Sequence, residues 1–318
     1  MKKGFTLAEV LITLTIIGIV SAISIPSLTS AVQEKAFNAQ RKALHARLAA
    51  AVSQMTTVVV PDSPTLEYDN ISETFIVEKL NKVYKIKSVC SSSNLAACGI
   101  PEKVTPFNDG SSFDLPNTFA GLSRTHLSSA PGSHYRNGNS LSAAFKTANG
   151  ESVAVYANPF CSSPSNAGEF SDNDACINFV YDVNGSEGPN KIGKDVGFIT
   201  VFNSRESDVV APVLLSATPS SDSATYDNAI AICESAGGRL PDRNEAAALY
   251  LNSKLLFGES DDGRGSFRSS TFWTGSVDTM TTAYVQNFYS GQNSYNTSRD
   301  RDTASRTSTN SVYCVENN

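Results

Sequence analysis

The sequence predicts an α+β protein: a long amino-terminal helix, apolar then amphipathic, packed on an antiparallel β-sheet head and followed by a smaller α+β module. Three observations predict it. Residues 5–25 form an apolar run with a single charge, Glu9. Apolar side chains at helical spacing continue from Leu28 to Met55. Beyond residue 150, short β-branched and aromatic segments alternate with turn clusters.

The apolar run comes first. It is long enough to cross a bilayer core, which takes about 20 residues as a helix. Lys2 and Lys3 precede it, and basic flanks hold that end in the cytoplasm and leave the remainder outside. A secretory signal is the simplest account of such a start, but this run is longer than a usual signal core and contains an acid. A plain single-pass anchor explains the apolar residues and leaves Glu9 unexplained. An ionisable group inside a span is costly and normally has a partner and a function.

The stretch Lys2-Lys3-Gly4-Phe5-Thr6-Leu7-Ala8-Glu9 with its apolar continuation resembles the class III signal of type IV prepilins and pseudopilins. That resemblance implies cleavage between Gly4 and Phe5 by a prepilin peptidase and N-methylation of Phe5. Glu9 would then be the fifth mature residue, as the family pattern requires, and Pro26 stands where family members often carry a helix-disrupting proline. The physical logic is separate from the name. A terminal amine at Phe5 and a carboxylate at Glu9 each need the opposite sign in low dielectric, within one chain or between neighbouring subunits.

Pro26 removes a backbone donor and is expected to kink or locally melt the helix. Beyond it Leu28, Val32, Leu44, Leu48, Val52 and Met55 form a stripe, with Ala36 and Ala51 near it, while Gln33, Glu34, Lys35, Asn38, Arg41, Lys42 and Arg47 take the other faces. One side therefore docks on a head. The rod over residues 5–57 would be about 80 Å long at ~1.5 Å per residue. His45 within it reads as a satisfied or solvent-facing histidine, and His126 and His134 have no carboxylates at metal spacing.

Length and composition bound the rest. A chain of 318 residues fits about two domains. Its net charge of -6, with 18% charged residues, gives an acidic surface unsuited to bulk nucleic-acid binding. Abundant Ser, Thr, Asn and Gly beyond residue 60 indicate an extracellular body. Six cysteines, Cys90, Cys98, Cys161, Cys176, Cys233 and Cys314, all follow the apolar run, which suggests disulfides. Their order leaves the connectivity open; local closure favours Cys90 with Cys98 and Cys161 with Cys176, leaving Cys233 with Cys314. No Cys-x-x-Cys pair or nearby histidine points to zinc.

Residues 58–206 read as the head. Residues 61–150 read as an irregular connection carrying the first disulfide, and strands are expected at 152–156, 176–181 and 196–202. The turn sequence at 182–195 resembles one found between late strands of bacterial pilin heads. Asp182, Asn184 and Asp195 offer oxygens of the kind calcium takes, but the spacing departs from an EF-hand. An Asx-type turn with a left-handed glycine is the alternative.

Residues 207–227, rich in Ser, Pro, Ala and Asp, read as a linker, and 228–318 as a separate module. Its Cys233 before Gly237-Gly238-Arg239-Leu240-Pro241, its Trp273-Thr274-Gly275 core and its terminal Cys314 strand resemble C-type lectin-like modules and the related formylglycine-generating-enzyme-like fold. The calcium and sugar motifs of sugar-binding members do not occur, so the resemblance implies a protein-binding or filament-decorating surface. The oxidase chemistry of the related fold depends on cysteines, and the only two in this segment, Cys233 and Cys314, read as a structural pair. The loop 290–309 interleaves Arg299, Arg301 and Arg306 with Tyr295, beside Tyr289, a mixture that can grip nucleic acid; Asp300 and Asp302 offset it, which favours a solvated polar loop.

These readings converge on a filament subunit that waits in the inner membrane with its body outside the cytoplasm and later joins a pilus or surface filament. Its partners would be prepilin peptidase and other pilin subunits. The alternatives are a minor pilin adhesin taking a surface, glycan or DNA ligand through the module, and a pseudopilin of a type II secretion system. No phosphate loop, nucleophile with paired histidine or carboxylate dyad marks an enzyme, and no cofactor or metal site is expected.

Overall fold

The computed structural model describes residues 6–59, 73–122, 143–157, 175–202, 209–215, 220–258, 271–287 and 301–317. Within them the chain is α+β, with a long first helix and sheets that are antiparallel but for one strand pair.

Helix α1 runs over Leu7–Val59 as one element of 53 residues. Pro26 lies inside this run. The expected docking stripe is shorter than its apolar spacing implies. Leu44, Leu48, Ala51 and Val52 are buried, whereas Val32 is 64% exposed and Ala36 is exposed. The reason is geometric: only the later turns lie over the sheet, and Phe37 is the first apolar side chain to touch the core beneath α1. Leu28 and Met55 fall outside the described side chains.

Residues read as an irregular connection contain real elements. Helix α2 (Glu73–Val83) turns Ile76, Val77 and Leu80 inward, an i, i+1, i+4 pattern that packs it beside α1. Strand β1 (Ile86–Cys90) is an edge strand with three exposed residues at its centre, so it lacks the alternation that announces a strand. A 3-10 helix (Ser92–Cys98) follows, then the short pair β2 (Lys103–Val104) and β3 (Phe113–Asp114).

The head sheet adds β4 (Ala143–Thr147), β5 (Ser152–Ala157), β6 (Ala175–Asp182), β7 (Val196–Phe202) and β8 (Val209–Val210). Its order is β1-β4-β5-β6-β7-β8, antiparallel throughout. The last of these strands comes from the stretch read as linker. Every residue of β5, β6 and β7 is buried, because both faces are covered. Val153, Val155, Ile177, Phe179, Ile199 and Val201 pack under α1 and α2. Ala154, Tyr156, Val180, Phe198 and Phe202 pack on the opposite face.

That opposite face is covered by the carboxy-terminal part. Helices α4 (Arg243–Leu251) and α5 (Ser253–Phe257) share one core with the sheet, and Phe272 and Tyr313 join it. Around them lie β9 (Ser220–Ala224), α3 (Tyr226–Ser235), β10 (Gly238–Arg239), β11 (Thr271–Val277), β12 (Thr282–Asn287), β13 (Arg301–Ser305), β14 (Asn310–Val312) and β15 (Val315–Glu316). A five-stranded sheet has the order β13-β12-β11-β14-β9, with β11 and β14 parallel, and β10 pairs with β15. A third core, centred on Trp273, Tyr226, Leu240 and Cys233, lies between α3 and this sheet. The Trp273 indole N–H donates to the Ala224 carbonyl at 2.7 Å.

A buried polar network ties the two parts together. The β6–β7 register sets Asn178 opposite Thr200, and the Thr200 hydroxyl donates to Asn178 Oδ1 at 2.6 Å. Asn178 Nδ2 donates to Asn252 Oδ1 at 2.8 Å. Asn252, between α4 and α5, sends its own Nδ2 toward Asn178 Oδ1, Thr200 Oγ1 and the Ala248 carbonyl. All three side chains are buried, each satisfied by the others, as buried amides must be.

Candidate functional site

The amino-terminal turn of α1 carries the predicted site. Gly4 and Phe5 lie outside the described residues. Glu9 is described, and its carboxylate already has a partner within the chain. Glu9 Oε2 accepts the Thr6 N–H and the Thr6 hydroxyl, both at 2.9 Å, and the Glu9 N–H donates to Thr6 Oγ1 at 3.3 Å. This is a capping box, which satisfies helix-end donors that otherwise have no acceptor. Within the signal string Thr6 carries no role by resemblance, yet a threonine three residues before a glutamate is a cap signature legible in the sequence.

After this cap the helix is apolar on all sides. Leu11, Ile12, Leu14, Ile16, Ile17, Ile19 and Val20 are each more than half exposed, without the single stripe of a helix that docks one face on a core. The two threonines among them keep their hydroxyls inside the helix: Thr13 donates to the Val10 carbonyl at 2.9 Å and Thr15 to the Leu11 carbonyl at 2.8 Å. The surface is therefore free of polar hydrogen-bonding demands along this stretch. Among the described residues no helix is long and apolar enough to cross a membrane. The described side chains of this stretch end at Ala22, short of the ~20 residues a crossing takes.

Two basic residues fasten the docked half of α1, contrary to their expected place on the outer faces. Arg41 is buried and donates to the Gly193 carbonyl and to Asn38 Oδ1. Arg47 pairs with the buried Glu151 of the β4–β5 turn and donates to the Ala43 carbonyl at 3.1 Å. His45 donates from Nε2 to the Val209 carbonyl at 3.3 Å.

The loop between β6 and β7, held by Arg41, has the geometry of the turn alternative. Asp182 Oδ1 accepts the Asn184 N–H at 3.0 Å, closing an Asx turn, and Gly185 follows at φ 71. Asp195 accepts the N–H groups of Asn190 and Lys191, both at 2.9 Å. Gly193 has φ +84, and a Cβ there would stand 2.5 Å from the Phe107 ring. Burial pushes the Asp182 carboxyl up to about 8, the Asn184 and Gly185 N–H groups oppose this, and the charge of Asp195 adds to it. Among the described residues no group of three or more His, Cys, Asp or Glu is placed to hold a metal ion.

Cys90 bonds Cys98, and Cys233 of α3 bonds Cys314 beside β15. Cys176 is disulfide-bonded, and Cys161 lies outside the described residues. Tyr289, Tyr295, Arg299 and Asp300 of the tail loop lie outside them as well. Arg306 is accounted for by the fold: it pairs with Asp227, and its guanidinium sits 4.9 Å from the Tyr226 ring centre.

Residues 1–25 match the prokaryotic N-terminal methylation motif. The chain thus carries a type IV pilin-like prepilin signal, which marks type IV pilin-like and pseudopilin proteins. Such a signal implies processing by prepilin peptidase and assembly with other pilins. No curated protein and no solved structure matches the chain.

Proposed function

We propose that the protein is a structural subunit of a type IV pilus or related filament. The observation that supports this most is the start of α1, where the described side chains from Val10 to Val20 are apolar on every side and uncovered by the rest of the described chain. Such a surface needs lipid first and neighbouring helices later. In this reading the 5–25 stretch stores the subunit in the inner membrane with its body outside the cytoplasm. Cleavage between Gly4 and Phe5 frees an amine that is then methylated, and Glu9 exchanges its own cap for the amine of a neighbouring subunit. The head and carboxy-terminal part face outward, and the protein acts by assembly without catalysis.

Intact-mass and amino-terminal analysis of sheared surface filaments tests the reading. An N-methylated Phe5 terminus in that material supports it; the processed form confined to the membrane refutes the surface filament and favours a pseudopilin. A second reading, a minor pilin with a lectin-like binding module, draws on the Cys233–Cys314 bond joining α3 to the last strands. Surface, glycan or DNA binding by filaments that contain the subunit, lost when it is absent, would favour it.

A further inference from the structure

The carboxy-terminal part holds a hollow of about 280 Å³ that the filament reading does not use. It lies at the small end of ligand sites, which favours an occupant the size of one side chain. Its first wall is an i, i+4 row on α3: Tyr226, Ile230 and Glu234. Opposite stand Arg239 of β10 and Leu240 and Asp242 of the turn that leads into α4, and the end of β11 closes it. The close approach of β11 depends on Gly275, whose N–H donates to the Pro241 carbonyl at 2.7 Å; a Cβ there would lie 3.3 Å from the Leu240 carbonyl oxygen.

The inner part is apolar. Tyr226 and Leu240 are buried and Ile230 is half-buried, while the Tyr226 hydroxyl already donates to the Gly275 carbonyl at 3.1 Å. Carboxylates stand at the rim, and the cation beside them is engaged elsewhere. Both terminal nitrogens of Arg239 bind the Glu245 carboxylate, at 2.6 and 2.7 Å. That leaves Glu234, exposed in the last turn of a helix with no basic residue there, where the helix dipole favours a cation. Asp242, exposed at the same rim, caps α4 by accepting the Glu245 N–H at 2.8 Å and the Asn244 N–H. The hollow offers methylenes an apolar floor and carries an excess of negative charge at its rim.

We propose that this hollow binds a primary ammonium on an alkyl stem, the chemistry of a lysine side chain presented by a partner polypeptide. The stem lies on Ile230, Leu240 and the Tyr226 ring, and the ammonium meets Glu234 and Asp242. An anionic ligand is disfavoured because Arg239 is already paired. The inference does not rest on the filament reading, and its failure leaves that reading intact.

The test is saturation-transfer NMR on the full chain in a neutral detergent, with Nα-acetyl-lysine amide as the probe. Transfer to the δ and ε methylenes, weakened at least fivefold in affinity by Glu234→Gln, is the expected result. Glu234 is exposed, so this variant should keep the wild-type unfolding midpoint, which checks the fold. No transfer at millimolar probe, equal transfer to the neutral Nα,Nε-diacetyl analogue, or unchanged affinity in Glu234→Gln would overturn the proposal.

Discussion

Asn252→Ala tests how the carboxy-terminal part is joined to the head. The substitution deletes the acceptor of the 2.8 Å bond from Asn178 Nδ2 and the amide that reaches Asn178, Thr200 and Ala248. Asn178 is 1% exposed and Thr200 0%, so water cannot replace the lost partner. An orphaned buried donor costs about 1 to 3 kcal/mol, and the vacated amide volume adds roughly 1 kcal/mol. The expected loss is about 2 to 4 kcal/mol, or roughly 5 to 10 °C in the unfolding midpoint. The assay is thermal unfolding of the full chain in detergent, followed by circular dichroism. The control is the shape-matched triple variant Asn178→Leu, Thr200→Val, Asn252→Leu. It removes all three polar side chains together, while the Ala248 carbonyl keeps the backbone N–H of residue 252 at 3.1 Å, and it should recover most of the loss, because replacing hydrogen-bonded partners by apolar groups of the same shape is nearly neutral. A midpoint shift under 1 °C for Asn252→Ala, or a triple variant no better than the single one, would refute the reasoning.

Glu9→Gln keeps an acceptor for the Thr6 cap and removes the charge, so it separates the two roles of this residue. It should insert normally yet enter filaments about a hundred- to several-thousand-fold less, from the roughly 3 to 5 kcal/mol of a broken buried pair; quantitative blotting of sheared filaments measures this. Replacing Cys233 and Cys314 by serine opens a link across a sequence separation of 81, which chain entropy values at about 4.5 kcal/mol, and denaturant titration should show a loss of that order. Because the Asp182 carboxyl is raised to about 8, the folded state holds a proton that the unfolded state releases near pH 4. Its contribution to stability is therefore full below about pH 4 and is lost as pH rises toward 8; Asp182→Asn should flatten that slope in unfolding curves between pH 5 and 8.

Much of this protein is local and therefore legible in its sequence. The processing signal is a contiguous string, Lys2 to Glu9, and the Thr6 cap is a three-residue spacing. Strands β5, β6 and β7 are short runs rich in β-branched and aromatic residues, and the short-range disulfide Cys90–Cys98 follows from proximity along the chain. What escaped depends on partners far apart in sequence. Arg41 looks like an outer-face residue until the loop carbonyl of Gly193 meets it. Residues 207–227 look like a linker because β8 is short and gains its bonds from β7. Nothing local to Asn178 identifies Asn252 as its partner, 74 residues away. Composition and short-range spacing determined the first helix, strands β5 to β7 and the signal. Only the tertiary structure decided that α4 and α5 close the second face of the head sheet, because a sheet buried on both sides must find its second cover wherever the chain can supply one.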